Sequence, residues 1–511
     1  MSTAETHDVI VIGGGPAGAV MAWSLARRGI RVAVVERSHF PREKVCGDFV
    51  EPGGLRILAH MGCLDRVERN APLPITHARI FVQGEAAYRG VIPYYNSDHG
   101  LPPHGYIVPR SELDTVLLER AQTVGARIYA GCSASAVERD GRGLQISARG
   151  RRQDFVLHAP LVVGADGVQS TVARSVGLAR NDARYTAVAQ RGYVDGVAVG
   201  SGEATIWFDE DLYPGYGWMF PLADGSANVG VGVLSEACRR HGLSVPRMFN
   251  EFIAKLRRHH PGCARIELLR PPLGGVVKSY GGVGINHFDG GLLIGDAGSF
   301  VDPMTGEGIT PGMESALLAA PTVCAALECG RFESAYLARF DRDFHHYFDP
   351  AMRYLELWAA ITRNRHLRES CLRAGARGWQ EAMTDRHFAR ITGASFGGLA
   401  LRPSAVISQI AAKIARHMVT GGAGAVIDAL RGQRRPGGGL GQDVGAWQRG
   451  MRASLNDDLR WHLAWTREVA RKSARVLWTA PNLRVRGVTA LDYWRTMDQP
   501  VPICAGQPAP Q

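Results

Sequence analysis

A glycine-rich turn near the start of the chain, residues 13–18 with the sequence GGGPAG, constrains the fold most. It follows the apolar run 9–12 and precedes a segment with the apolar spacing of a helix, after which a second apolar run ends at Glu36. Strand, glycine turn, helix, strand and acid in this order are typical of the βαβ unit that binds dinucleotides. We therefore predict an α/β dinucleotide-binding domain of the Rossmann type.

Each glycine of the turn has a distinct predicted purpose. Gly13 permits the tight turn, Gly15 lets backbone amides reach a pyrophosphate at a helix N-terminus, and Gly18 lets the helix pack on the strand. The carboxylate of Glu36 is expected to accept hydrogen bonds from ribose hydroxyls. The predicted cofactor contacts of this unit are Gly13, Gly15, Ala17, Gly18, Glu36 and Arg37.

Two later segments favour FAD over NAD as the dinucleotide. Residues 162–167 read VVGADG and residues 292–298 read LLIGDAG, so each places an acid beside glycine at a strand end. Such acids can bind the hydroxyls of a ribityl chain, which NAD lacks. The predicted contacts here are Asp166, Gly167, Gly295 and Asp296.

A third segment, residues 303–309 with the sequence PMTGEGI, leads into a helix. The positive N-terminus of that helix would face the electron-rich edge of a reduced isoalloxazine ring. We expect Pro303, Gly306, Gly308 and Ile309 to line this part of the cofactor site. Pro311 and Glu314 lie where the helix begins, so the local electrostatics remain open.

Composition excludes several other classes of protein. Lys and Arg outnumber Asp and Glu by 59 to 48, but the basic residues are scattered as singlets and pairs, which disfavours nucleic-acid binding. Nine cysteines without CxxC spacing indicate thiols in a cytoplasmic protein. The apolar stretch 316–327 is too short to span a bilayer. No metal site is predicted, and peripheral attachment to a membrane stays open.

The order of apolar runs predicts three regions, α/β in the cofactor domain and α+β overall. A discontinuous FAD-binding domain covers residues 1–80, 105–184 and 281–345, and a mixed-sheet substrate domain covers 81–104 and 185–280. Residues 346–511 form a helical extension with a glycine-rich loop at 421–440. The local predictions are a helix over 111–124 with an N-cap box from Ser111 to Asp114, an antiparallel meander of strands at 134–138, 144–148 and 155–163, and helices over 405–417 and 459–476.

Three further motifs carry a resemblance to a known family. They are FPREKVCGD at 40–48, VPR at 108–110, and PGYGWMFP at 214–221 followed by NVG at 228–230. With the glycine turn they resemble the flavin monooxygenase superfamily of the para-hydroxybenzoate hydroxylase fold, and within it the geranylgeranyl reductase-like branch, over residues 8–345. The resemblance implies that Arg110 lies near the phosphates or ribityl chain, that Cys46 approaches the flavin, and that Tyr216, Trp218 and Phe220 border the substrate cavity.

An aromatic cluster with few ionisable groups suits an apolar isoprenoid or polyketide-like substrate. Reduction of a double bond and oxygenation are close alternatives, and a halogenase or a cyclase that uses FAD only structurally remains open. No second dinucleotide motif is present, so an external electron donor, NAD(P)H, ferredoxin or a reductase, is not identified. The helical extension is a candidate to cover the cavity, to form an oligomer interface, or to bind a carrier protein or membrane surface.

Overall fold

A computed structural model describes residues 5–92, 102–140, 143–150, 154–180, 182–198, 202–382 and 440–479. The predicted helix over 405–417 and residues 421–439 of the predicted glycine-rich loop lie outside these ranges.

A six-stranded sheet forms the centre of the cofactor domain, and its strands are parallel apart from the edge pair 287–288 and 291–293. The strand order is His287–Phe288, Gly291–Leu293, Leu161–Gly164, Val9–Ile12, Val32–Glu36 and Arg127–Ala130. The central strands are buried on both faces, as continuous apolar runs in a covered parallel sheet require. This confirms the Rossmann-like prediction.

Three helices, Pro16–Ala26, Arg110–Thr123 and Ile309–Cys329, pack together on one face of this sheet. Every residue of Pro16–Ala26 is buried, because the helix lies between the sheet and the other two. The opposite face is covered by a four-stranded sheet, which contains the predicted meander. Its strands are Glu5–Thr6, Asp154–Ala159, Gly143–Arg149 and Ser133–Asp140, and the short helix Thr171–Ser175 lies beside it.

Two local predictions need correction. The predicted strand over 155–163 is divided at Pro160, where the chain leaves the meander and enters the parallel sheet as Leu161–Gly164. Ser111 is not an N-cap, because the helix begins at Arg110 after Pro109. Asp114 binds the guanidinium of Arg110 instead of supporting a cap.

The substrate domain is a mixed eight-stranded sheet, as predicted. Its strands are His77–Val82, Glu85–Val91, Thr186–Asp195, Glu203–Phe208, Tyr216–Pro221, Ala227–Leu234, Glu267–Leu268 and Leu273–Lys278. The helices Ser235–His241 and Val245–His259 accompany it, and the second packs its apolar face on the sheet. The strand His77–Val82 already belongs to this sheet, so the domain boundary predicted at residue 80 falls inside a strand.

The chain crosses between the two domains through a small three-stranded sheet. Its strands, in their order across the sheet, are Phe49–Val50, Gly105–Ile107 and Pro74–Ile75. The helices Pro52–Met61 and Leu64–Asn70 lie in the chain between Phe49–Val50 and Pro74–Ile75. The segment 40–48 therefore passes from the cofactor sheet directly towards the substrate sheet.

The helices after residue 330 contact both domains, because Tyr336, Leu337 and Phe340 pack into the core of the cofactor domain, while Ala376 and Trp379 pack against the substrate sheet. The described helices of this region are Ser334–Leu337, Arg339–Tyr347, Asp349–Thr362, Arg365–Ala382, Leu440–Asp457 and Leu459–Thr479. The ring of Trp379 contacts that of Tyr88 edge-on at 5.2 Å between centroids. The hydroxyl of Tyr213 donates to the carbonyl of Arg363 at 2.7 Å, and Arg368 donates to the carbonyl of Gly215. This region thus contacts the segment that leads into the aromatic strand Tyr216–Pro221.

Seven cysteines of the described chain are free thiols, namely Cys46, Cys63, Cys132, Cys238, Cys263, Cys324 and Cys371. Cys329 is disulfide-bonded, so the expectation of thiols throughout is wrong at that position. Among the described helices, none is both long and apolar enough to cross a bilayer.

Candidate active site

The glycine turn closes through two backbone contacts that no side chain would permit. Gly13 has a φ of +103°, and a Cβ there would lie 2.4 Å from the carbonyl oxygen of Ala165. A Cβ on Gly18 would lie 1.9 Å from the carbonyl oxygen of Gly13. The predicted purposes of these two glycines therefore match their geometry.

Gly15 lies at the N-terminus of the helix Pro16–Ala26, next to two arginines. A Cβ on Gly15 would lie 3.5 Å from Arg42 and 4.0 Å from Arg110. Arg110 binds Asp114 through two hydrogen bonds of 2.7 and 2.8 Å, and Arg42 reaches the same carboxylate at 2.9 Å. Backbone amides and two held guanidinium groups together form a cradle suited to a diphosphate.

Sequence reasoning identified Arg110 here but missed Arg42 and Asp114. Arg42 lies in the FPREKVCGD motif, so the family resemblance of that motif could have indicated a cofactor contact at this residue. Asp114 was assigned to a helix cap. Its pairing with Arg110 four residues earlier on the helix is a spacing that could have revealed it.

Glu36 lies at the end of its strand with 5% of its surface exposed. Its carboxylate accepts hydrogen bonds from the backbone N–H groups of Gly14 at 2.7 Å and Ser38 at 2.8 Å. These bonds fix its orientation beside the turn and leave acceptor capacity on both oxygens. Arg37 follows directly and its side chain is exposed.

Asp166 caps the helix Thr171–Ser175, because its Oδ2 accepts from the N–H groups of Thr171 at 2.6 Å and Val172 at 3.2 Å. Its Oδ1 is buried and has no hydrogen-bond partner. Burial raises the pKa of Asp166 despite these bonds. Gly167, with a φ of +77°, is open on the side where a Cβ would lie. A buried acceptor without a partner is a group that a hydroxyl-bearing ligand would satisfy.

The second acid-glycine pair meets the glycine turn directly. Gly295 has a φ of +57°, and a Cβ there would lie 2.9 Å from the Cβ of Ala17. Asp296 pairs with the ammonium of Lys44 at 3.6 Å. The buried ammonium of Lys278 is attracted to Asp296 and Asp166, while burial lowers its pKa. Asp166 and Asp296, which are far apart in the sequence, thus both lie near the ammonium of Lys278.

The segment 302–309 forms a tight loop before the helix Ile309–Cys329. Asp302 accepts from the N–H groups of Met304 at 2.6 Å and Thr305 at 3.1 Å. Pro303 is half-buried in this loop, and a Cβ on Gly308 would lie 3.4 Å from Oδ1 of Asp296. Ile309 is buried at the first turn of the helix. The loop therefore lies against the second acid-glycine pair.

Four acids surround the start of this helix, and the sequence analysis recognised only Glu314. Burial raises the pKa of Asp302, and burial with neighbouring acids raises those of Glu51 and Glu314 well above their usual range. Burial also raises the pKa of Glu307 to about 8. These raised pKa values favour the protonated forms of the acids, which weakens their effect on the positive end of the helix.

The aromatic strand presents a row of rings. Tyr216, Trp218 and Phe220 have successive centroid distances of 5.9 and 6.4 Å, and Phe49 lies 5.9 Å from Phe220. The hydroxyl of Tyr216 donates to the carbonyl of Thr305, and a Cβ on Gly306 would lie 3.6 Å from that hydroxyl. The row thus reaches from the small connecting sheet to the loop before the helix.

A buried polar network holds Cys46 against this row. The amide of Asn228 accepts from the indole N–H of Trp218 at 2.9 Å and donates to the Cys46 carbonyl at 2.9 Å and to Asp48 at 2.7 Å. Arg191 also donates to the Cys46 carbonyl, at 3.3 Å. Two hydrogen bonds therefore hold the backbone carbonyl of Cys46 in place, and neither of them involves its thiol.

Asp48 is a buried carboxylate in a left-handed backbone conformation, with a φ of +62°. It accepts from Asn228 and from the hydroxyl of Tyr193, and its other oxygen has no partner. Burial raises its pKa to about 6, opposed by Arg191. Burial and the charge of Asp48 raise the pKa of the Cys46 thiol, so the thiol keeps its proton at neutral pH.

FAD fits this arrangement on structural grounds. The cradle at Gly15 suits a diphosphate, Glu36 suits a ribose, and the partnerless oxygen of Asp166 suits a hydroxyl of the ribityl chain. The helix behind the loop 302–309 presents its positive dipole end, while the N–H groups of Met304, Thr305 and Glu307 are bonded within the loop. In the described chain, no group of three or more His, Cys, Asp or Glu side chains is arranged to hold a metal ion.

The fold and the site define an FAD-dependent oxidoreductase. Residues 6–194 match the family model "FAD binding domain", and residues 188–270 match "Geranylgeranyl reductase catalytic domain". The chain is 32% identical to a menaquinone reductase of Mycobacterium tuberculosis, over 67% of this chain and 83% of that protein. It is 31% identical to digeranylgeranylglycerophospholipid reductase 2 of Methanothermobacter thermautotrophicus, over 66% of this chain and 82% of that protein. The chain belongs to the geranylgeranyl reductase-like family of FAD-dependent oxidoreductases.

Solved structures agree on the fold. A geranylgeranyl bacteriochlorophyll reductase-like protein from Thermoplasma acidophilum has a TM-score of 0.63 at 22% identity, covering 77% of this chain and 97% of that one. The myxobacterial chondrochloren halogenase has a TM-score of 0.60 at 23% identity, covering 70% of this chain and 83% of that one. Because both activities occur on one fold, the reaction must be argued from the site.

Proposed function

We propose that this protein reduces carbon–carbon double bonds in the chain of an apolar isoprenoid, in lipid or natural-product biosynthesis. The observation that carries the proposal is the aromatic row of the strand Tyr216–Pro221, which lies within the region that matches the geranylgeranyl reductase catalytic domain. The relatives reported above are reductases, and their names refer to a quinone or to an isoprenoid lipid. This similarity supports a reduction over an oxygenation, a halogenation or a cyclisation.

The aromatic row would offer an apolar substrate a wall of rings. The rings of Tyr216, Trp218, Phe220 and Phe49 supply apolar contact area, which orients a ligand that has few polar anchors. Burial raises the pKa values of the acids near the helix start, which favours their neutral forms. Long polyene chains meet these requirements.

Reduction of each double bond consumes two electrons and two protons. FAD supplies the electron chemistry when it is bound, and the protein supplies position and protons. The Cys46 thiol holds its proton at Sγ, and burial raises the pKa of Tyr216 so that this hydroxyl holds its proton at Oη. We propose Cys46 and Tyr216 as the groups that face the reacting carbons, with Trp218 as the wall that positions them.

We also propose the residues that hold the cofactor. Glu36 and Arg37 lie on the ribose side, Arg110 with Arg42 on the diphosphate side, and Asp166 and Asp296 along the ribityl chain. We propose that an external donor reduces the bound FAD, and NAD(P)H, ferredoxin and a separate reductase are the donors to test.

Anaerobic holoenzyme with dithionite and geranylgeraniol, or with a menaquinone that carries an unsaturated side chain, tests the reaction. The product is expected to gain two hydrogen atoms per reduced bond, with none formed when dithionite is left out. Trp218→Ala is expected to lower turnover more than FAD content, and Cys46→Ser to lower turnover with FAD content unchanged. An isomer formed without reductant, or a product containing oxygen or halogen, would contradict the proposal.

A further inference from the structure

The helix Leu459–Thr479 has an outward face that the rest of the described chain does not cover. Its inner face is fixed by Trp465, whose indole donates to the Ala360 carbonyl at 2.8 Å, and by buried Lys472, which binds Glu356. Leu459 and Leu463 point away from these contacts and are 56% and 47% exposed. Two large apolar side chains one helical turn apart are thus left in solvent.

A basic strip runs along the same exposed face. Arg460, Arg467 and Arg471 are exposed. Arg460 and Arg471 each lie one residue after a position on the apolar strip, a rotation of about 100°, and Arg467, seven residues after Arg460 and four before Arg471, lies on the same side of the helix. The apolar strip consists of Leu459, Leu463, Ala470 and Ala474. These two adjoining strips, here called the outer face, give the helix the pattern of an amphipathic surface helix.

The outer face has no acidic counterpart within its own helix. Glu468 is the helix's only acid, and it is directed inward, where it pairs with Arg363 at 3.3 Å and Lys472 at 3.4 Å. Arg460, Arg467 and Arg471 make no ion pair within the described part of the chain. The positive charge of the outer face is therefore available to an external anionic partner.

The basic surface continues beyond the start of the helix. Arg240 pairs with Asp458 at 3.2 Å and lies 4.8 Å from the ring centre of Trp461. Arg240 also lines an open cavity of about 830 Å³. The other lining residues are Arg180, Asp182, Ala183, Arg184, Glu236 and Arg239. Of the four arginines that line this cavity, Arg184 pairs with Asp182 and Arg240 with Asp458.

We propose that the outer face docks on the surface of an anionic phospholipid bilayer. Leucines that enter the headgroup boundary and arginines that meet lipid phosphates are the two contributions that hold an interfacial helix. An acidic protein partner would be expected to pair with the arginines without requiring exposed leucines beside them. The proposal does not depend on the reaction, although a membrane is where an apolar isoprenoid resides.

Co-sedimentation of the full-length holoenzyme with vesicles tests the docking. We expect binding to vesicles of equal parts phosphatidylglycerol and phosphatidylcholine, weakening with salt, and little binding to phosphatidylcholine alone. The variant R460Q/R467Q/R471Q should lose about tenfold or more in partitioning. L459S/L463S should also bind more weakly, because it removes the apolar insertion.

The matched control is R69Q/R139Q/R265Q, which removes the same charge from exposed arginines elsewhere. It is expected to bind as the wild type does. Equal losses in both triple variants, unchanged binding in L459S/L463S, or no binding by the wild type would overturn the proposal. Concentration-dependent dimerisation that L459S/L463S abolishes would also overturn it, in favour of a second copy of the chain. FAD content and dithionite-driven reduction of geranylgeraniol in detergent should be unchanged in both outer-face variants, which separates this test from that of the reaction.

Discussion

Replacing Asn228 with alanine should show how much the polar network beneath the aromatic row contributes. The substitution leaves the buried indole N–H of Trp218 without a partner, and it removes one of the two donors to the Asp48 carboxylate. An orphaned buried donor costs about 1–3 kcal/mol, and a lost bond to a charged group about 1.5–3 kcal/mol. The Cys46 carbonyl keeps its bond from Arg191 and adds little. We expect a loss of about 3–5 kcal/mol in the free energy of unfolding.

Urea unfolding at pH 7, followed by tryptophan fluorescence, measures this loss. The pKa of Asp48, raised to about 6 by burial in the native protein, should rise further without the amide donor. The folded variant then binds its proton more tightly, so its additional instability should increase as the pH rises through about 6.

Trp218→Phe serves as the paired variant because it removes the indole N–H, together with the five-membered part of the ring, and leaves Asn228 in place. The double variant should be more stable than the sum of the two single losses predicts, since both remove the same hydrogen bond. A loss below about 1 kcal/mol for Asn228→Ala, with turnover unchanged, would refute the reasoning that this amide fixes Cys46 and Trp218.

Three other predictions concern the cofactor site. Gly18→Ala should abolish FAD retention, because its Cβ would lie 1.9 Å from the Gly13 carbonyl oxygen, whereas Gly375→Ala, with open space around it, should retain FAD on gel filtration. Asp114→Asn should cost about 3–5 kcal/mol in urea unfolding, because it leaves Arg42 and Arg110 without their shared carboxylate. The pKa of Glu307 is raised to about 8, so the folded state binds the extra proton and Tm should fall as pH rises towards 8, with a smaller slope in Glu307→Gln. FAD retained by Gly18→Ala would contradict the first prediction, and unchanged urea unfolding of Asp114→Asn would contradict the second. An unchanged dependence of Tm on pH in Glu307→Gln would contradict the third.

The cofactor half of the fold could be predicted because its signals are local. The glycine turn, the buried strands and Glu36 lie within one βαβ unit, where spacing along the chain sets spacing in space. The strand at 155–163 was misjudged because both of its halves are apolar, and only tertiary pairing separates the meander strand from the parallel one at Pro160.

The substrate half of the site could be predicted only through family resemblance. Asn228 meets Cys46 and Asp48 through contacts between residues about 180 positions apart, which no local pattern encodes. Asp114 was misassigned because a Ser followed by an acid three residues later fits a capping box, while the partner that actually binds it comes one residue before that Ser. The acids Glu51, Asp302 and Glu307 gave no sequence signal, since their raised pKa values follow from burial.

The division of the cofactor domain along the chain has a consequence for its folding during synthesis. The helix Pro16–Ala26 is made early, yet its packing partner Ile309–Cys329 and the strand Gly291–Leu293 emerge only after the whole substrate sheet. Until then the apolar surface of the first helix has no complete cover, and the nascent chain depends on chaperones or on early packing against Arg110–Thr123. The ribosome therefore releases a folded cofactor domain only after residue 329, with the substrate domain already in place between its parts.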